Sequence, residues 1–180
     1  MLLGFNAGFC HPTAHGMLET VGLARAPGWR GPYTLLAAPT PGGAVFGGGP
    51  RAPAHRCEDP FLWRSKRGYH LLVHNQQPLS GDGTEVSALG FSEDGFAWRM
   101  APRAPYDCTV RYADGTTGEA AMCGNRPHLV FAGTGATGGS GGGGGGEGAP
   151  VYLLNGASAG PHDPDAGLTY SLMRPIRSSS

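Results

Sequence analysis

Cys57-Glu58-Asp59-Pro60-Phe61-Leu62-Trp63-Arg64-Ser65-Lys66-Arg67-Gly68-Tyr69-His70-Leu71-Leu72-Val73-His74-Asn75 is the stretch whose reading decides the fold. Two apolar runs, Phe61 to Trp63 and Tyr69 to Val73, flank a charged turn segment that ends in Gly68. That pattern predicts a β-hairpin with a polar turn. Pro60 lacks an N–H, which suits the first residue of a strand and tells against a helix. The acidic pair Glu58-Asp59 therefore stands at a strand mouth, where a rigid β scaffold can hold a charged side chain beside a ligand.

Working outward, Val21 to Ala26 reads as a short strand, and Pro27 to Tyr33 as a turn into a second strand, Thr34 to Ala38. From Phe5 to Thr20, Asn6, His11, Pro12 and His15 break any periodicity. After the hairpin, Val86 to Ser92 reads as a strand and Ser92 to Trp98 as a turn into another. Cys108 to Tyr112 with Ala113-Asp114-Gly115-Thr116 predicts a further strand and an Asp-Gly hairpin turn. Arg126 to Phe131 and Val151 to Gly156 predict a buried pair of strands, and Leu168 to Met173 is the last apolar piece. No segment keeps a helical period over three turns. Two stretches read as loops: the Gly/Pro-rich 39–53, and 132–149, a low-complexity insertion at a hairpin tip with eleven glycines between Gly133 and Gly148.

The chain has 180 residues, enough for one domain with a core, and reads as a single domain over 1–180. Thirteen basic and thirteen acidic residues leave a formal net charge of zero, and only 14% of residues are charged. That balance speaks against nucleic acid or an anionic membrane as partner and favours neutral ligands. No apolar run is long enough to cross a bilayer as a helix, and the first residues, Met1 to Asn6, lack the basic start of a secretion signal. The four cysteines form no CxxC pair, so a zinc site lacks support. Cys108 and Cys123 flank the predicted Asp-Gly hairpin and could pair in an oxidising compartment; ordinary free thiols are the alternative.

Laying the strand starts side by side reveals a weak internal repeat. Glu58-Asp59-Pro60-Phe61-Leu62-Trp63 with Tyr69 to Val73 matches Arg126-Pro127-His128-Leu129-Val130-Phe131 with Val151 to Asn155. Each unit is a polar start, a proline, an apolar strand, a turn and an aromatic-containing apolar strand. Asn6-Ala7-Gly8-Phe9-Cys10 reads as a degraded third copy. Repeats of short antiparallel sheets predict a β-propeller.

The central stretch resembles the E-G-P-x-[LI]-x-K-x-x-G-x-Y-Y-L-x-Y-S signature of the five-bladed β-propeller glycosidases typified by glycoside hydrolase family 43. Val21 to Ala26 with Gly31-Pro32-Tyr33 is similar to the A-x-S-x-x-x-x-G-P-Y segment that ends another blade in that group, and E-D-P-F-L-W and R-P-H-L-V-F pieces occur in its relatives. The resemblance covers roughly residues 21 to 131, with Val151 to Gly156 as a further echo. Ser92 to Trp98 resembles the S-x-D-x-G-x-x-W box of sialidase-type propellers, one residue short, in which the Asp and Ser tie the turn and the Trp packs between sheets.

The resemblance implies an all-β, partial five-bladed propeller of about three blades: either the C-terminal part of a longer protein, or an incomplete propeller that needs the missing blades or a second chain. It implies O-glycosyl hydrolysis of an oligo- or polysaccharide by an inverting mechanism, with Glu58 as general acid. Such an acid must be protonated near neutral pH, and partial burial at a channel mouth raises a carboxyl pKa in that direction. Inversion also needs a base carboxylate about 6.5–9.5 Å away. The family carries it on an earlier blade, and before Glu58 this chain has only Glu19 as an acid. Asp59 replaces the family's Gly, and strand alternation predicts that Glu58 and Asp59 face opposite ways. Asn6, Asp59, Arg126 and His128 are the candidate substrate-binding neighbours.

Other readings are kept beside these. His70 and His74 read as satisfied strand residues, and Trp29, Trp63 and Trp98 as packing residues. No cofactor is called for; a structural cation such as calcium has no support in the residues. The competing classes are a non-catalytic carbohydrate-binding propeller and an inactive fragment of one.

Overall fold

The computed structural model describes residues 1–10, 17–37, 57–75, 86–120, 122–132, 149–158 and 169–176. Both predicted loops fall almost wholly outside them. The chain is all-β: among the described residues there is no helix, and every sheet is antiparallel. Strands β1 (Leu2–Cys10), β2 (Met17–Arg25) and β3 (Thr34–Ala37) form one three-stranded sheet. The middle sheet has β4 (Cys57–Ser65), β5 (Gly68–Asn75), β6 (Ser87–Ser92) and the short β7 (Arg99–Met100). A two-stranded ribbon, β8 (Thr109–Arg111) and β9 (Thr117–Glu119), precedes a last sheet of β10 (Met122–Phe131), β11 (Pro150–Ser158) and β12 (Thr169–Pro175). In each sheet the strands lie in chain order, so each is a meander.

The deciding hairpin forms as its pattern requires, with Ser65 opposite Gly68 and only Lys66 and Arg67 between. Gly68 has φ 139°, and a side chain there would meet the Ser92 carbonyl on the neighbouring strand. The apolar run of β5 is continuous because both its faces are buried. Leu71 and Val73 pack with Val21, Cys57 and Ala88, while Leu72, pointing the other way, packs with Leu129 and Leu153. The middle sheet therefore lies between the first and the last. A third cluster, Val110, Ala120, Cys123 and Ala157, seats the ribbon on the last sheet, and Cys108 and Cys123 are joined there by a disulfide.

The first strands of the three sheets meet. β4 packs against β1 and β2, and β10 against β4 and β5. This convergence makes the site.

The Ser92 to Trp98 turn is tied as expected. Asp94 Oδ1 accepts from the Ser92 hydroxyl at 3.0 Å and from the Phe96 and Ala97 amides at 2.8 and 2.9 Å. These donors hold the Asp94 carboxyl below its usual range. Trp98 closes the turn through its indole N–H to the Gly95 carbonyl at 3.1 Å and packs on the core.

Three expectations need correcting. The strand beginning at Val21 starts earlier, at Met17, and pairs along its length with β1, so the irregular Phe5 to Thr20 stretch is largely hairpin. Cross-strand pairing supplied the order that side-chain periodicity lacked. Trp29 is not a packing residue: it is 69% exposed, with the Arg30 guanidinium 4.5 Å from its ring centroid. The degraded third repeat at Asn6 lacks the backbone of the other two, because β1 runs in unbroken register against β2.

Candidate functional site

The other two repeats share an uncommon backbone. Asp59 and Arg126 are the non-glycine residues with positive φ among those described, at 54° and 50°, and each precedes a proline. Asp tolerates this left-handed region better than most residues do. In β4 the register slips between Glu58, opposite His74, and Phe61, opposite Leu72. In β10 it slips between Asn125, opposite Gly156, and His128, opposite Leu154. One extra residue is inserted at the same place in each unit, a β-bulge that re-aims the side chains around it.

The bulges are stitched to each other and to β1. Asn6 Oδ1 accepts the Asp59 backbone N–H at 2.7 Å, and its amide nitrogen donates to Asp59 Oδ1 at 3.4 Å. Asp59 Oδ2 in turn accepts the Arg126 backbone N–H at 3.0 Å. A side chain from each of the first two sheets thus caps the amide at the matching position of the next. Asn6 keeps this role although its strand has no bulge.

Beside this relay, Glu58 Oε1 lies 2.9 Å from His74 Nδ1, with the two side chains 22% and 16% exposed. The His74 ring rests on β10 at Gly124, where an added methyl would sit 2.4 Å from His74 Cδ2 and 2.8 Å from the Val86 carbonyl. Glycine there is a requirement of close approach. Tyr106 donates its hydroxyl to the Gly124 carbonyl at 3.3 Å and is anchored through Ser87, whose hydroxyl donates to the Tyr106 carbonyl at 2.8 Å. Burial first, and the nearby Asp59 charge, hold the Tyr106 phenol well above its usual pKa despite the opposing Arg174, so it stays a neutral donor.

Strand alternation fails at Glu58 and Asp59. One ligand atom each from Glu58, Asp59 and His74 all lie within 4.8 Å of one another, so the two carboxylates share a side. The left-handed residue at 59 is the cause, since alternation holds only for extended backbone. Two carboxylates and an imidazole at this spacing could hold a cation, although Glu58 and His74 already contact each other and both Asp59 oxygens already accept hydrogen bonds.

Gly4, Phe5, Asn6, Asp59, Pro60, Phe61, Arg126, Pro127 and His128 line an open cleft of about 380 Å³. Four of the five sequence candidates, Asn6, Asp59, Arg126 and His128, are in its wall; Glu58 stands beside it. The His128 ring tilts against Phe61 with centroids 4.1 Å apart. His74 was missed as a site residue. Counting back from the Lys66-Arg67 turn sets Asn75 opposite Glu58, and only the bulge brings His74 there. His70, by contrast, is a satisfied strand residue: it stacks on Trp63 at 4.8 Å and meets the Ser65 hydroxyl at 2.8 Å.

The fold and site define an all-β protein of antiparallel meanders whose first strands converge on a polar, aromatic-floored cleft. No protein-family model, curated protein or solved structure matches the chain.

Proposed function

We propose that this chain is a segment of a glycosidase-type β-propeller, related to glycoside hydrolase family 43, and that its cleft binds an oligo- or polysaccharide. The observation that carries the reading is the cleft wall. Asn6, Asp59, Arg126 and His128, picked out in the sequence from three separate strand starts, gather around one cavity with Phe5 and Phe61. Apolar rings with a few convergent polar groups are what a sugar needs: its C–H face lies on the ring and its hydroxyls meet the polar side chains. Three meander sheets meeting through their first strands, two with the same bulge, support the propeller.

Binding is favoured over hydrolysis because the one carboxylate in the wall, Asp59, has both oxygens engaged in holding strands together. Hydrolysis is the second reading, supported by the Glu58 carboxyl held at 2.9 Å by His74 next to the cleft. Asp59 is not its inverting partner. It offers an oxygen within 4.8 Å of Glu58, closer than the roughly 6.5–9.5 Å that leaves room for a water.

The test is calorimetric titration of the chain with plant-type oligosaccharides, alongside Asn6→Ala and His128→Ala. Saturable binding weakened by either substitution supports the reading; binding indifferent to both would sink it. Release of nitrophenol from aryl-glycosides, abolished in Glu58→Gln, would move the assignment to hydrolase.

A further inference from the structure

We propose that the cleft selects acidic sugars, with Arg126 taking the carboxylate of a uronate residue. The inference rests on the carbohydrate reading above and adds the substrate class.

It begins with the relay. Asn6 caps the Asp59 amide, and Asp59 caps the Arg126 amide, each through a side-chain oxygen. Continuing that pattern would require an acceptor at position 126. Arginine has none: its guanidinium carries five N–H donors in a fixed fork and stays charged. The relay therefore ends in a group that seeks an anion. Arg126 is exposed in the cleft wall, and among the described residues its guanidinium enters no ion pair or hydrogen bond; the contact it makes is through its backbone.

The rest of the wall is already engaged. Its single carboxylate, Asp59, already takes the Arg126 amide on one oxygen and the Asn6 amide group on the other. His128 adds a second nitrogen-bearing side chain, positioned by its ring contact with Phe61. The wall's formal charges balance, Arg126 against Asp59, and Arg126 is the charged group whose side-chain donors are open beside Phe5 and Phe61. A uronate fits this arrangement. Its planar carboxylate matches the guanidinium fork with two parallel hydrogen bonds, while its pyranose face lies on Phe61.

The test compares two probes that differ only in charge: α-1,4-linked trigalacturonate and the same trisaccharide reduced at its carboxyl groups. The acidic probe should bind at least about tenfold more tightly at low salt, a difference of about 1.4 kcal/mol. Raising the salt should narrow that gap. Arg126→Gln should bring the acidic probe down to the level of the neutral one, and Arg126→Lys, which keeps the charge and loses the fork, should fall between. A thermal melt of each variant separates loss of binding from loss of fold. Equal wild-type affinity for the two probes, or an acid preference that survives in Arg126→Gln, overturns this proposal and leaves the carbohydrate reading standing. Failure of both probes, together with all neutral oligosaccharides, overturns both.

Discussion

The Asp59 carboxylate accepts the backbone N–H of Arg126 at 3.0 Å across 67 residues of sequence, and both residues hold left-handed backbone. A bulge in one sheet is thereby fastened to the equivalent bulge in the next. Because Asn6 fastens the Asp59 amide from the other neighbour, a single side chain couples all three sheets at the cleft. Asp59→Ala removes the acceptor and places alanine in a region it disfavours. It should cost about 1–2 kcal/mol in urea denaturation, while Asp59→Asn, which keeps an oxygen and tolerates the backbone, should cost less.

Glu58 and His74 should be energetically coupled. Their contact is partly shielded from water, so a double-mutant cycle of Glu58→Gln and His74→Ala should return about 0.5–1 kcal/mol of interaction. Additive single effects would show that the contact contributes nothing to stability.

Gly124→Ala should act through His74. The new methyl would collide with the ring and with the Val86 carbonyl, at a cost of about 1–3 kcal/mol by chemical denaturation. Repeating the substitution in His74→Ala should recover part of that loss, since one of the two obstacles is gone. An undiminished penalty would place the strain at Val86 alone.

The Cys108–Cys123 disulfide closes a separation of 15 residues around the β8–β9 ribbon. Loop-closure entropy puts its contribution at about 3 kcal/mol. The Cys108→Ser/Cys123→Ser variant should therefore melt well below the parent, and reductant should lower the parent's melting point but not the variant's.

His70 should make stability fall with acid. Burial first, and then the Arg67 charge, lower its pKa in the folded state below the ordinary histidine value of about 6.5. The unfolded chain thus binds the proton more readily, and the contribution of the neutral ring is complete above that value. It is lost as pH falls through the lower folded pKa. Denaturation midpoints measured from pH 7.5 to 5 should decline, and His70→Asn should flatten that decline.

Much of the fold was legible because its signals are local. The polar turn between Trp63 and Tyr69 and the Asp94 turn box each act within a few residues, and the structure has both where the residues pointed; Pro60, expected as the first residue of a strand, is instead the fourth of β4, inside its bulge. Leu71 and Leu72 announced burial on two faces by being consecutive and apolar. Asn6, Asp59, Arg126 and His128 were legible as a set through the repeat and the resemblance; that they line one cleft was not. The Phe5 to Thr20 stretch failed because β1 and β2 owe their order to each other. Trp29 failed because an aromatic residue signals burial only where a partner surface arrives.

What residue order alone settled is the antiparallel all-β character, the central hairpin with its turn, the repeated polar-Pro-apolar unit and the two cysteines available to pair. Each follows from steric preference and apolar spacing over short range. Left to the folded molecule were the bulges, the slip that sets His74 against Glu58, and the turn of Asp59 onto the same side as its neighbour. These depend on an acceptor 67 residues from its donor and on a glycine from another sheet. A left-handed residue ahead of proline is costly on its own, and it persists at Asp59 and Arg126 because partners from neighbouring strands satisfy the amides it turns outward.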